Sequence, residues 1–130
     1  MSRILDGAEQ LLLSFGPFGV AVTDGPYGVF KWQWQNVFVI ELTSLRLVAR
    51  RTSRRRPLRW PRGGRPFEIP YAAVVSVRLL PHPARLGLMR VLEIVYRDSG
   101  GVHEKSIAAY NQPAEQAFAI LQQFAPPGCC

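Results

Sequence analysis

Cysteine is nearly absent from this 130-residue chain: its only two, Cys129 and Cys130, are the last residues. Adjacent cysteines rarely bridge each other, and two thiols without histidine partners make no tetrahedral zinc site, so no disulfide framework and no metal are expected. Histidine is equally scarce. His82 lies among prolines and His103 follows a glycine turn, neither in the carboxylate or thiol company that activates a nucleophile. The nine acids are scattered singly, which argues against a paired-carboxylate site or a hard-metal cage. No glycine-rich phosphate loop stands between a strand and a helix. These absences exclude the common catalytic arrangements, and the chain reads as a binding module, not an enzyme, with no cofactor. Long apolar runs are missing too, none reaching the roughly 18–20 residues that cross a bilayer. Arg3, Asp6 and Glu9 surround a short apolar Leu11-Leu12-Leu13, a poor secretory signal. The expected location is cytoplasmic, with a peripheral place on the inner membrane surface open.

What is present is charge in one place. The net charge is +7, from 16 basic and nine acidic residues. Eight arginines (50, 51, 54, 55, 56, 59, 62 and 65) fall within residues 50–65, where there is no acid. The other 114 residues hold eight basic and nine acidic side chains, a balance of −1. A general bias toward arginine over lysine would scatter these residues, whereas clustered like charge marks an interaction surface.

The hydrophobic period changes along the chain. Ile4, Leu5, Ala8, Leu11, Leu12 and Phe15 fall on one stripe at helical spacing, so residues 3–15 are predicted to form an amphipathic helix ended by Gly16-Pro17. From there the period is two. Strands are predicted over 18–23, 29–34, 37–43 and 45–51, then 67–69, 74–80, 89–97 and 102–108. Asp98-Ser99-Gly100-Gly101 is the strongest hairpin signal. A final helix follows, with Asn111 or Gln112 as its cap, Pro113 in its first turn and Glu115 near its positive end. Its stripe is Ala114, Ala117, Phe118, Leu121 and Phe124. Residues 50–66 interrupt the strands with three prolines, two glycines and mutual repulsion, a loop of the length that tends to be functional. The organisation is therefore residues 1–16 as an N-terminal helix, 17–125 as one domain with the 50–66 insert, and 126–130 as a tail.

Several phrases carry a resemblance. "VFVIELTSLRLVAR" at 37–50 and "FEIPYAAVVSVRL" at 67–79, with "VLEIVYRDSGG" and the helix "NQPAEQAFAILQQF", resemble bacterial pleckstrin-homology-like (PH-like) and GRAM-like domains over about residues 29–124. The resemblance implies a mainly β fold: a bent antiparallel sheet or barrel of about seven strands, one open corner plugged by the C-terminal helix. Here it would carry an extra N-terminal helix. It also implies a ligand end formed by the loops after the first, third and sixth strands. With 29–34 taken as the first strand, the arginine-rich insert is the third-to-fourth loop, Lys31 matches a lysine near the end of strand one, and Lys105 lies near the sixth-to-seventh hairpin. The sequence departs from the lipid-binding members in strand two, where residues 37–42 lack the Arg-x-Arg pair.

Three partners fit the insert. An anionic membrane would meet Arg54, Arg55, Arg56, Arg59 and Arg62, each contributing about 1 kcal/mol, while Trp60 and Leu58 enter the headgroup layer. An acidic protein surface would use the same charges, in a scaffolding or oligomerisation role. Nucleic acid would be bound through phosphate neutralisation and stacking on Trp60 or Tyr71. The resemblance favours the membrane or the acidic protein surface.

Overall fold

Period-two alternation decides most of the chain in the computed structural model, which describes residues 9–25, 34–35, 37–51, 66–84 and 87–125. Among these residues there are nine strands and one α-helix. They run β1 Leu11–Phe15, β2 Ala21–Asp24, β3 Trp34–Gln35, β4 Phe38–Thr43, β5 Arg46–Arg51, β6 Phe67–Pro70, β7 Val74–Pro81, β8 Met89–Asp98, β9 Gly101–Tyr110 and α1 Asn111–Phe124. A short 3-10 turn, Tyr71–Ala73, links β6 to β7. Every pairing is antiparallel, in two sheets ordered β1-β4-β5-β6 and β3-β2-β9-β8-β7. The expected mainly β, antiparallel domain with a C-terminal helix is what forms, but the described strands close no barrel.

One apolar core lies between the sheets. Phe38, Ile40 and Leu42 of β4 meet Leu92 and Ile94 of β8 and Ile107 of β9, all almost fully buried. Ala117 and Leu121 bring α1 into the same core, and Tyr71 stacks on Phe124 with ring centroids 5.6 Å apart. The helix thus seals the crossing between β6 and β7. The other crossing is made by the chain between β1 and β2. There Gly16 has φ +101° and a Cβ would come within 2.7 Å of the Phe38 carbonyl oxygen. Gly19 has φ +76° and a Cβ would meet the Tyr110 ring at 2.2 Å, so both positions need glycine.

The N-terminal helix expected over 3–15 is not what the described part of that segment forms. Residues 1–8 lie outside the described residues, and Leu11–Phe15 is the edge strand β1, paired with β4 from Leu11↔Thr43 to Phe15↔Ile40. A short apolar run fits both periods, and tertiary contacts choose. Leu13 and Phe15 turn inward onto the core, a bulge between Leu11 and Leu13 leaves Leu11 on the outer face, and the Gln10 N–H donates to Ser44 Oγ at 3.1 Å. The first strand is accordingly not 29–34, of which only Trp34 falls in a described strand, the two-residue β3. The helix cap differs as well. Tyr110 occupies the N-cap position without a side-chain bond, because Asn111 turns back to the preceding loop, its Nδ2 donating to the Gly87 carbonyl at 2.8 Å. Glu115 reaches Arg90 at 3.5 Å instead of the helix start.

Candidate anion-binding end

The insert leaves and rejoins the first sheet at one place. Arg51, the last residue of β5, lies opposite Phe38, and Phe67, the first of β6, lies opposite Ala49. The Phe38 and Phe67 rings are 6.3 Å apart, forming an apolar seat between the two feet of the insert. The second sheet joins this seat through Lys105 of β9, whose Nζ stands 4.7 Å from the Phe67 ring centroid and is hydrogen-bonded to Asp24 at the end of β2. Just beyond, the Gly25 N–H donates to the Glu104 carbonyl at 2.9 Å, and Ser106 Oγ donates to the Gly25 carbonyl at 2.7 Å. Arg51 and Phe67, the described ends of the insert, therefore stand near the end of β2 and Lys105 of β9. The hairpin tip is four residues along β9 from Lys105, roughly 13 Å.

The hairpin itself is as expected, in register to Arg97↔Val102 and Asp98↔Gly101. Asp98 Oδ1 accepts the Gly100 N–H at 2.7 Å and lies 2.8 Å from His103 Nε2, and these bonds hold the Asp98 carboxyl below the usual carboxylate range. His103 also packs on the Tyr96 ring at 5.4 Å. The pair is exposed and closes the turn.

The residues expected to meet an anion divide in two. Arg54, Arg55, Arg56, Leu58, Arg59, Trp60, Arg62 and Lys31 lie outside the described residues. Lys105 is described, and its side chain is 13% exposed, its charge held between Asp24 and Phe67. Arg50, within the same arginine cluster, is held across β4 by both oxygens of Glu41, at 2.9 and 3.2 Å. That contact raises the Arg50 pKa further above its ordinary value.

A second polar constellation was not read from the sequence. Glu9 is fully buried, accepting a hydrogen bond from Thr43 Oγ1 and two from Arg46, from Nε at 2.9 Å and Nη2 at 3.1 Å. Arg46 also bonds Glu68 at 2.8 Å. Thr43, Arg46 and Glu68 line an open groove of about 720 Å³ on the outer face of the first sheet, with Ser14, Glu41, Val48 and Arg50, and Glu9 is buried behind them. Alternation along β4 and β5 puts Glu41, Arg46 and Arg50 on that face, whereas nothing local joins Glu9 to it. The groove lining itself holds two carboxylates, Glu41 and Glu68, and two guanidinium groups, Arg46 and Arg50, so it offers no excess of one sign. Among the described residues no three metal-ligating side chains converge, and no helix is long and apolar enough to cross a membrane.

Comparison with known proteins adds no identity: the chain matches no protein-family model and no curated protein sequence.

Proposed function

We propose that the protein is a non-catalytic, PH-like binding module that contacts an anionic membrane surface, on its cytoplasmic side, through the arginine-rich insert. The observation that carries this is the distribution of charge: eight arginines and no acid in residues 50–65, on a chain otherwise at −1. The PH-like part is supported by the strand order. Taken as one strand interrupted at residues 16–20, β1 and β2 pair with the first and second sheets in turn. With the two-residue β3 set aside, seven strands and a closing helix remain, in the order the resemblance implies. On that count the insert is again the third-to-fourth loop and the β8–β9 turn the sixth-to-seventh.

Two pairings among the described residues support a narrower reading of the basic side chains. Arg50 is spent on Glu41 and Lys105 on Asp24, so contact with the partner falls to Arg54, Arg55, Arg56, Arg59 and Arg62, beside Trp60 and Leu58. The Phe38–Phe67 contact lies between the described ends of the insert, beside the Lys105–Asp24 pair.

The test replaces Arg54, Arg55 and Arg56 together with Ser. At about 1 kcal/mol per arginine near an anionic leaflet, partition onto phosphatidylserine vesicles should weaken by roughly 3 kcal/mol at low salt. The loss should be smaller at physiological salt, where screening acts over about 8 Å. Binding of a single-stranded oligonucleotide without vesicle binding would replace lipid by nucleic acid as the partner. Binding to neither would leave protein scaffolding as the role of the module.

A further inference from the structure

Three large apolar side chains stand out of the surface at one corner: Phe18 is 83% exposed, Leu88 62% and Tyr110 53%. Their backbones converge. Gly19 lies against the Tyr110 ring, Tyr110 is paired with Met89, and the Asn111 N–H donates to the Leu88 carbonyl at 3.1 Å. Phe18 precedes Gly19 (φ +76°) and Leu88 follows Gly87 (φ +86°), so two tight glycine turns each carry one apolar side chain at the tip. Single exposed apolar residues are ordinary, but a group brought to one corner by three separate segments marks an interaction site. Residues 16–20 and 108–112 hold no charged side chain, and Arg90 beside Met89 is paired with Glu115. The corner also adjoins the root of the insert. Gly16 packs on the backbone of Phe38 and Val39, and Phe38 lies opposite Arg51, where the insert departs.

We propose that this corner is a bilayer-insertion contact. Phe18 and Leu88 enter the boundary between headgroups and acyl chains of the anionic membrane, and Tyr110 lies at headgroup level with its hydroxyl toward water. The inference rests on the anionic-membrane reading above and adds the element that holds the protein there once charge has brought it close. Lipid fits this corner better than a protein does. Side chains projecting from turn tips suit a deformable medium, whereas a stable protein interface needs a continuous patch of roughly 800 Å² per partner. Residues 50–65, which begin on β5 at the strand end that adjoins Gly16 through Phe38, carry eight arginines and no acid, and that excess complements an anionic leaflet.

The test uses the full chain carrying Phe18→Ser and Leu88→Ser. Vesicles of phosphatidylserine and phosphatidylcholine should bind it roughly tenfold or more weakly than the wild type at physiological salt, with thermal midpoint unchanged. The remaining binding should be the more salt-sensitive, being electrostatic alone. Phe18→Trp alone should keep most of the wild-type affinity, since an aromatic side chain remains at the turn tip. If the double variant binds as the wild type does while the Arg54/Arg55/Arg56→Ser variant is weakened, the corner is not a membrane contact and the arginine reading stands. Wild-type protein that ignores the vesicles overturns both. A wild type that sediments as a dimer, and a double variant that sediments as a monomer, would assign the corner to a second copy of the chain.

Discussion

At the scale of single residues, the strongest local commitment is the burial of Glu9. A fully buried carboxylate is tolerable only when paired and hydrogen-bonded, and Thr43 and Arg46 supply both. The Thr43 hydrogen bond is the largest influence holding the Glu9 carboxyl below its ordinary value; burial opposes it, and Arg46 adds to it. A carboxylate depressed in the folded chain contributes stability that is full above the unfolded value of 4.5 and is lost as pH falls through the lower folded value. Glu9→Gln should therefore lower the urea midpoint at neutral pH and flatten its fall below about pH 4.5. An acid limb as steep as the wild type's would remove Glu9 from that role. Tyr71 offers a simpler measurement: its hydroxyl donates to the buried Thr43 carbonyl at 2.7 Å, and burial pushes its pKa well above the usual tyrosine range. Tyr71→Phe should cost about 1–3 kcal/mol in chemical denaturation, because the carbonyl is left without that donor.

At the scale of elements, legibility followed the strength of local signals. The β8–β9 hairpin could be read because long alternation flanks a glycine turn, and α1 because its stripe of Ala114, Ala117 and Leu121 is the buried face. The segment ending in Phe15 could not, because Leu11-Leu12-Leu13 satisfies either period and the deciding contacts, Thr43 and Ile40, lie about 25–32 residues away. The ion pairs followed the same rule. Arg50–Glu41 spans one hairpin, while Lys105–Asp24 needs β2 and β9 to be neighbours, which no local pattern specifies. Protection of the sheet edge shows a related economy. The His82 N–H donates to Met89, so residues 77, 79 and 81 of β7 present their backbone groups outward, and Pro81 removes one donor from that open edge. The crossing between the sheets is the element most exposed to single changes. Gly19→Ala should destabilise by about 1–3 kcal/mol from backbone strain alone, before the Tyr110 ring is displaced. Leu121→Ala, emptying the core under α1, should cost about 2–5 kcal/mol. Thermal or urea unfolding of the two variants checks both values.

At the scale of the whole molecule, the described residues form a nearly self-satisfied body. Arg46, Arg50, Arg78, Arg90 and Lys105 each have a carboxylate partner, so the excess charge is concentrated in the insert. That separation between a nearly neutral remainder and a basic segment was legible from counting alone, since it depends on which residues are present and not on how they fold. The seat beneath the insert was not, because Phe38, Phe67 and Lys105 come together only through two sheets. Co-sedimentation with phosphatidylserine vesicles at low salt tests the central claim most directly, comparing the intact chain with one whose residues 52–65 are replaced by a short Gly-Ser linker. The intact chain should sediment with anionic vesicles and not with phosphatidylcholine alone, and the shortened chain should stay in solution with nearly the same thermal midpoint. Equal sedimentation of the two chains, or none of the intact one, would contradict the claim.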